Sequence, residues 1–165
     1  MGSFPELSPD ASAFRGEMLG LLAIHLILLA IHKLHPDLTG QVSIYSDCLG
    51  ALGRVTDVPT TRLPARTKHA DILKIIMVHC QDFPFDLIYH HIKAHQDDKE
   101  SYHKLLRAAQ LNCQADYLAK SVIWGLEGKA IPPQEMLPLE AIGIFAGRTK
   151  ITSGPGETLS GQRSL

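Results

Sequence analysis

The chain has 165 residues, the length of one ordinary domain, with room for a sizeable core but not for two independent ones. Apolar residues make up 45% and charged residues 20%, a balance that excludes disorder throughout. The formal net charge of −1 excludes any global electrostatic argument for nucleic-acid binding, so such a surface must be built locally.

Residues 1–11, "MGSFPELSPDA", are rich in Pro, Ser and Gly and lead to Asp10 or Ser12 as a helix cap. From there "SAFRGEMLGLLAIHLILLAIHKLH" keeps apolar residues on most faces until Pro36, which predicts one long, mostly buried helix over 12–35. Its most apolar window, "MLGLLAIHLILLAI", is fourteen residues long and contains His25, too short a run to cross a bilayer. Glu6, Asp10 and Glu17 precede it where a secretory signal would be basic. The expectation is an intracellular protein, cytoplasmic or nuclear, with no membrane partner. Cys48, Cys80 and Cys113 form no CxxC pair, which argues against a disulfide scaffold or structural zinc and suits a reducing compartment.

"PDLTG" then reads as a turn, and "QVSIYSD" as a short strand over 41–47 that delivers Asp47 to its C-terminal end. "CLGALGRV" predicts a short helix, "TDVPTTRLPARTK" an irregular stretch, "HADILKIIMVHC" another helix and "FDLIYHHIKA" a second strand. "DKESYHKLLRAAQLNCQADYLAKSVIWG" predicts a long amphipathic helix ending near Gly125. Beyond it, "LEGKAIPPQEMLPLE" reads as a linker, "AIGIFAGRTKITS" as one or two short strands and "GPGETLSGQRSL" as a loose tail. The organisation is therefore an N-terminal segment (1–11), a domain (12–125) and a linker with a short β segment and flexible tail (126–165). The order helix, strand, helix, helix, strand, helix indicates an α/β fold on a partly parallel sheet flanked by helices.

Such folds place ligands at strand ends, where Asp47 stands. Glu17 lies in an apolar helix, where an acidic side chain needs a partner or a metal. Asp116 follows Asn112 by four residues, so both share a helical face, and His95 directly follows the second strand. A Glu, two Asp and a His from four elements suit an oxygen-rich site for Mg²⁺ or Mn²⁺, with His95 at its rim as proton carrier. That is the apparatus of metal-assisted phosphodiester hydrolysis.

"FRGEMLGLLAI", "IYSDCLGAL", "IKAHQDD" and "LNCQADYLA" resemble, in order and rough spacing, the motifs of the type 1 ribonuclease H domain, most closely the retroelement reverse-transcriptase type. The resemblance covers residues 13 to about 124. It implies a ribonuclease H-like fold that cleaves the RNA strand of an RNA–DNA hybrid, with Glu17, Asp47 and Asp116 as metal ligands. It also implies that His95 is a mobile histidine assisting product release and that Asn112 contacts the RNA strand. Members of the family open with a three-stranded meander whose first strand carries a further metal-binding Asp. Sixteen residues before Glu17 leave no room for it, so the expectation is an N-terminally truncated domain with an incomplete carboxylate set and impaired activity. The late segment "AIGIFAG", or a second copy in a homodimer, is expected to cover the sheet edge so exposed. The alternative is a catalytically inactive remnant that binds nucleic acid or a protein partner; a third reading is an unrelated α/β domain.

Simpler roles stand beside these. Glu17 could answer the helix dipole, and Asp47 could cap the helix that follows it. His25, His32 and His35 read as satisfied or peripheral, and His90 and His91 point to opposite faces of their strand. Asp97 or Asp98 could stand in for the missing carboxylate. Arg54, Arg62, Arg66 and Lys68, set against Asp57 alone, mark either the loop where a hybrid would dock through its phosphates or an ordinary solvated loop. Tyr117 and Trp124 read as core.

Overall fold

Ser12 starts the first element: its Oγ accepts the backbone N–H of Arg15 at 3.2 Å, capping helix α1 (Ala13–Leu34). The helix ends at His35, whose backbone leaves the helical region as a residue before proline must. The computed structural model describes residues 12–57, 63–64, 67–79, 83–125, 136–147 and 149–152. Strand β1 (Gly40–Ser46), helices α2 (Leu49–Thr56) and α3 (Ala70–His79), strand β2 (Phe85–His91) and helix α4 (Arg107–Gly125) follow. Two short 3-10 turns, Gln96–Asp98 and Tyr102–Lys104, bridge β2 to α4.

β1 and β2 pair in parallel, Ile44 beside Tyr89 and Ser46 beside His91. Parallel strands need a long crossover, and α2 and α3 supply it. The fold is thus mixed α/β, a two-stranded parallel sheet flanked by helices. Alternation sends Val42, Ile44, Leu87 and Tyr89 toward the helices, where they join Met18, Leu21, Leu22, Ala51, Leu52, Ile72, Leu73 and Ile76 in one core. Burying each large side chain contributes roughly 1.5–3 kcal/mol. On the other face Tyr45 is exposed and stacks on His90 at 4.7 Å between ring centroids.

The expectation that the apolar run is too short to cross a bilayer is corrected: the whole of α1 is long and apolar enough by length and composition, a test that a core helix and a signal sequence also pass. Here it packs on α2 and α3. The expectation of burial on most faces is corrected: Arg15, Met18, Leu21, Leu22, His25 and Leu28 form one buried stripe, while Ile27 and Leu34 are exposed opposite. Spacing of three to four residues fixes that stripe; apolar residues beyond it outnumber what two neighbouring helices can cover.

The expected role of "AIGIFAG" is also corrected. Strands β3 (Phe145–Ala146) and β4 (Thr149–Lys150) form their own antiparallel hairpin, separate from β1 and β2. Gly147, at φ +63°, opens its two-residue turn, a conformation that suits glycine. Among the described residues β1 pairs with β2 alone, so its other edge stays open. The hairpin docks instead on α3. Thr152 O accepts the N–H of Ala70 at 3.0 Å, and Leu137 enters the core.

Charges lock that docking. Arg15, buried on α1, donates from both terminal nitrogens to Asp71 of α3, at 3.0 and 2.6 Å. Lys150 lies 3.5 Å from Asp71 and donates to Glu140 at 2.6 Å. All four side chains are at most 8% exposed. Two positive and two negative groups alternate, so each buried charge has an opposite neighbour, the condition for tolerating them out of water.

Candidate divalent-cation site

Asp47 leaves the end of β1 toward α4. The expectation that it caps the next helix is not met: Cys48 occupies the N-cap position of α2 without a side-chain cap bond. Its N–H is taken by Ser46 Oγ at 3.1 Å. The Asp47 carboxylate instead accepts, at Oδ2, an N–H from the Asn112 amide at 3.2 Å. Asn112 and Asp116, four residues apart, share one face of α4, and the bond to Asp47 ties that helix to the strand end.

Glu17 lies on the exposed side of α1, beyond its first turn, so the helix-dipole role is set aside: that turn contains no acidic residue. Solvent reaches it from outside while protein crowds it from within. Its carboxyl is held above the ordinary value of 4.5, first by desolvation, then by the charges of Asp47 and Asp116. Asp47, at the end of β1, and Asp116, on α4 and 99 positions away from Glu17 in the chain, are therefore both within electrostatic reach of Glu17 on α1.

The donor set fits a hard divalent ion in chemistry and in sign: Mg²⁺ and Mn²⁺ favour carboxylate oxygen, and a cation would relieve the repulsion at Glu17. Among the described residues, no three His, Cys, Asp or Glu side chains are gathered closely enough to hold an ion as they stand. Asp47 is turned to Asn112, and Asp116 accepts from Lys120 Nζ at 2.6 Å. Holding an ion would require the carboxylates to draw together.

His95 is exposed and takes the left-handed conformation, φ +50°, at the start of the 3-10 turn that carries Asp97 and Asp98. A non-glycine residue there stores a little backbone strain, which surroundings must hold. Asp97 and Asp98 act on the charge of Lys120, so that turn lies on the α4 side of the cluster. Cys113 is held as a thiol, above its ordinary value, by desolvation first and then by Asp97, which argues against a nucleophilic role.

Of the expected docking residues, Arg54 and Lys68 are exposed, whereas Arg62 and Arg66 lie outside the described residues. Arg54 lines a cleft of about 320 Å³ with Gly50, Gly53, Asp57 and Thr67. None of the three carboxylates lines it. Tyr117 is corrected from core to surface, 65% exposed, and the Trp124 side chain lies outside the described set. His25 is buried and satisfied, as its place in the apolar helix suggested.

Sequence reasoning missed Lys120, Arg15 and Asp71. Lys120 was legible as an i+4 partner of Asp116. Arg15 was legible as a charge three residues before Met18 on the stripe that becomes buried, but its partner lies 56 positions away. Comparison of the chain with protein-family models, curated proteins and solved structures finds no match.

Proposed function

We propose that the chain is a ribonuclease H-like domain of the retroelement polyprotein type, which hydrolyses the RNA strand of RNA–DNA hybrids with Mg²⁺ or Mn²⁺. One observation carries this reading: the Asn112–Asp47 hydrogen bond ties the end of β1 to the helix that carries Asp116, and the charges of both carboxylates add to desolvation in holding up the Glu17 carboxyl. Unrelated surface carboxylates repel and spread; a cluster that accepts such repulsion needs a compensating use.

Held by Glu17, Asp47 and Asp116, a divalent ion would supply an activated water and offset negative charge on the phosphate. The chain's own residues prepare for it. Asn112 fixes the direction of Asp47 through its amide N–H. His95, open to solvent after β2, would act as the proton carrier. Arg54 and Lys68 meet backbone phosphates from the flanking surface. Three carboxylates hold an ion less firmly than a larger set, and phosphoryl chemistry depends on position, so turnover is slow. Cys48 and Cys113, neither of them in a disulfide, suit an intracellular site of action.

A second reading, a non-catalytic module that binds a hybrid or a protein, draws support from the carboxylates standing apart rather than gathered. Cleavage of an end-labelled hybrid at high protein concentration separates the two. The first reading expects slow cleavage that needs Mg²⁺ and falls at least about 100-fold in Asp47→Asn, as loss of a central charged group in such a site does. Equal products from wild type and Asp47→Asn would sink it. Hybrid binding without cleavage by the wild type would favour the second.

A further inference from the structure

A helix at the surface of a domain needs one apolar stripe, and α1 has two. The first faces the core, with Arg15 at its start held by Asp71. The second runs along the opposite side through Gly16, Gly20, Ala23, Ile27, Ala30 and Leu34. Steps of four, three, four, three and four residues make it an unbroken heptad seam. All but the half-buried Gly16 are exposed, Ile27 by 59% and Leu34 by 75%. Between Glu17 and Lys33 the chain carries no Asp, Glu, Lys or Arg, so no charge interrupts the seam. Gly20 does not make room for a neighbour inside the chain, since a Cβ there would meet nothing within 4 Å. Glycine inside a helix weakens it relative to alanine, and no contact within the chain offsets that loss.

We propose that this seam is the contact surface of an antiparallel homodimer, in which α1 of one copy packs along α1 of a second about a two-fold axis level with His25. Side-chain size selects that register. Ile27 then lies opposite Ala23 of the second copy, Leu34 opposite Gly16 and Ala30 opposite Gly20. Each exposed large side chain meets a small one, and the backbones approach most closely at Gly20. A parallel pair would set Ile27 on Ile27 and Gly20 on Gly20, crowding one level and leaving the next empty. A patch complementary to itself closes with two copies. Lipid is a poorer occupant: small residues offer acyl chains little area, and crossing a bilayer would pull buried Arg15 away from Asp71. The contact is α1 itself, not the open edge of β1, and it does not depend on what the carboxylates bind.

Sedimentation velocity of the full chain over a concentration series tests this. A contact between two single helices is small, so wild type should associate weakly, with a Kd on the order of 10–100 μM. Ile27→Glu, which charges the seam and leaves the core alone, should be monomeric throughout. Ala23→Ile sets one isoleucine against another and should weaken association at least about tenfold. Adding Ile27→Ala to it exchanges the large and small partners and should return the Kd to within about threefold of wild type. Circular dichroism checks that each variant folds; should Ile27→Glu fail to, the uncharged exchange decides. A wild type still monomeric at about 1 mM overturns the proposal. So does an Ile27→Glu that dimerises like wild type, or an Ala23→Ile defect that Ile27→Ala leaves unrepaired. Flotation of a monomeric wild type with phosphatidylcholine vesicles, lost in Ile27→Glu, would give the seam to lipid instead and overturn it too.

Discussion

His25 shows how one buried polar side chain fixes its own chemistry. Its Nδ1–H can only donate to Leu21 O, 2.8 Å away, so Nε2 is left bare and accepts the hydroxyl of Tyr89 at 2.7 Å. Burial lowers its pKa below 6.5, the carbonyl bond opposing this only in part. A group whose folded pKa is lowered contributes stability that is whole above its unfolded value and is lost as pH falls through the folded one. Wild-type protein should therefore melt progressively lower from about pH 6.5 downward, and His25→Leu should flatten that slope, whatever its absolute stability. Thermal denaturation by circular dichroism across that window checks it; parallel slopes in the two proteins would contradict it. The sequence marked His25 as satisfied because it sits among leucines and isoleucines. Tyr89 was not legible as its partner, since a contact 64 positions away depends on how α1 lies across the sheet.

Elements were more legible than their packing. Ser12, Pro36 and the switch from a helical to a two-residue period mark α1 and β1 nearly to the residue, because those signals act within a few positions of the chain. The start of α4 was placed too early: the polar run after Ala94 makes two 3-10 turns before Arg107 begins the helix. Short polar segments cap and turn as readily as they continue a helix, and periodicity alone cannot choose. The docked hairpin was the larger surprise, because Lys150 and Glu140 look like surface residues until they pair with each other and Lys150 reaches Asp71, the partner of Arg15. Lys150→Met should destabilise the chain by about 3 kcal/mol, because Glu140 stays buried with its opposite charge gone. Urea unfolding with limited proteolysis checks this; the expected result is a lower midpoint and faster cutting within 136–152, and an unchanged midpoint would show that the network adds nothing.

At the scale of the molecule, the parallel sheet was legible from the alternation of helices and strands, because parallel neighbours require a crossover. Its extent was not. Among the described residues the sheet has two strands, with Tyr45 exposed on one face and β1 paired on one edge alone, and nothing in the alternation of side chains sets that number. A joint site for Glu17, Asp47 and Asp116, proposed from their motifs, depends on the whole fold: α1 must lie against the helices behind β1 while Asn112 ties α4 to its end. That convergence is the central claim, and the titration of the Glu17 carboxyl reads it directly. Carbon-13 NMR of the side chain in wild type, Asp47→Asn and Asp116→Asn should show a pKa above 4.5 in wild type that drops toward it in each variant. It should not return fully, since desolvation is the larger cause and remains. A Glu17 that titrates identically in all three proteins would mean that the carboxylates do not form one site.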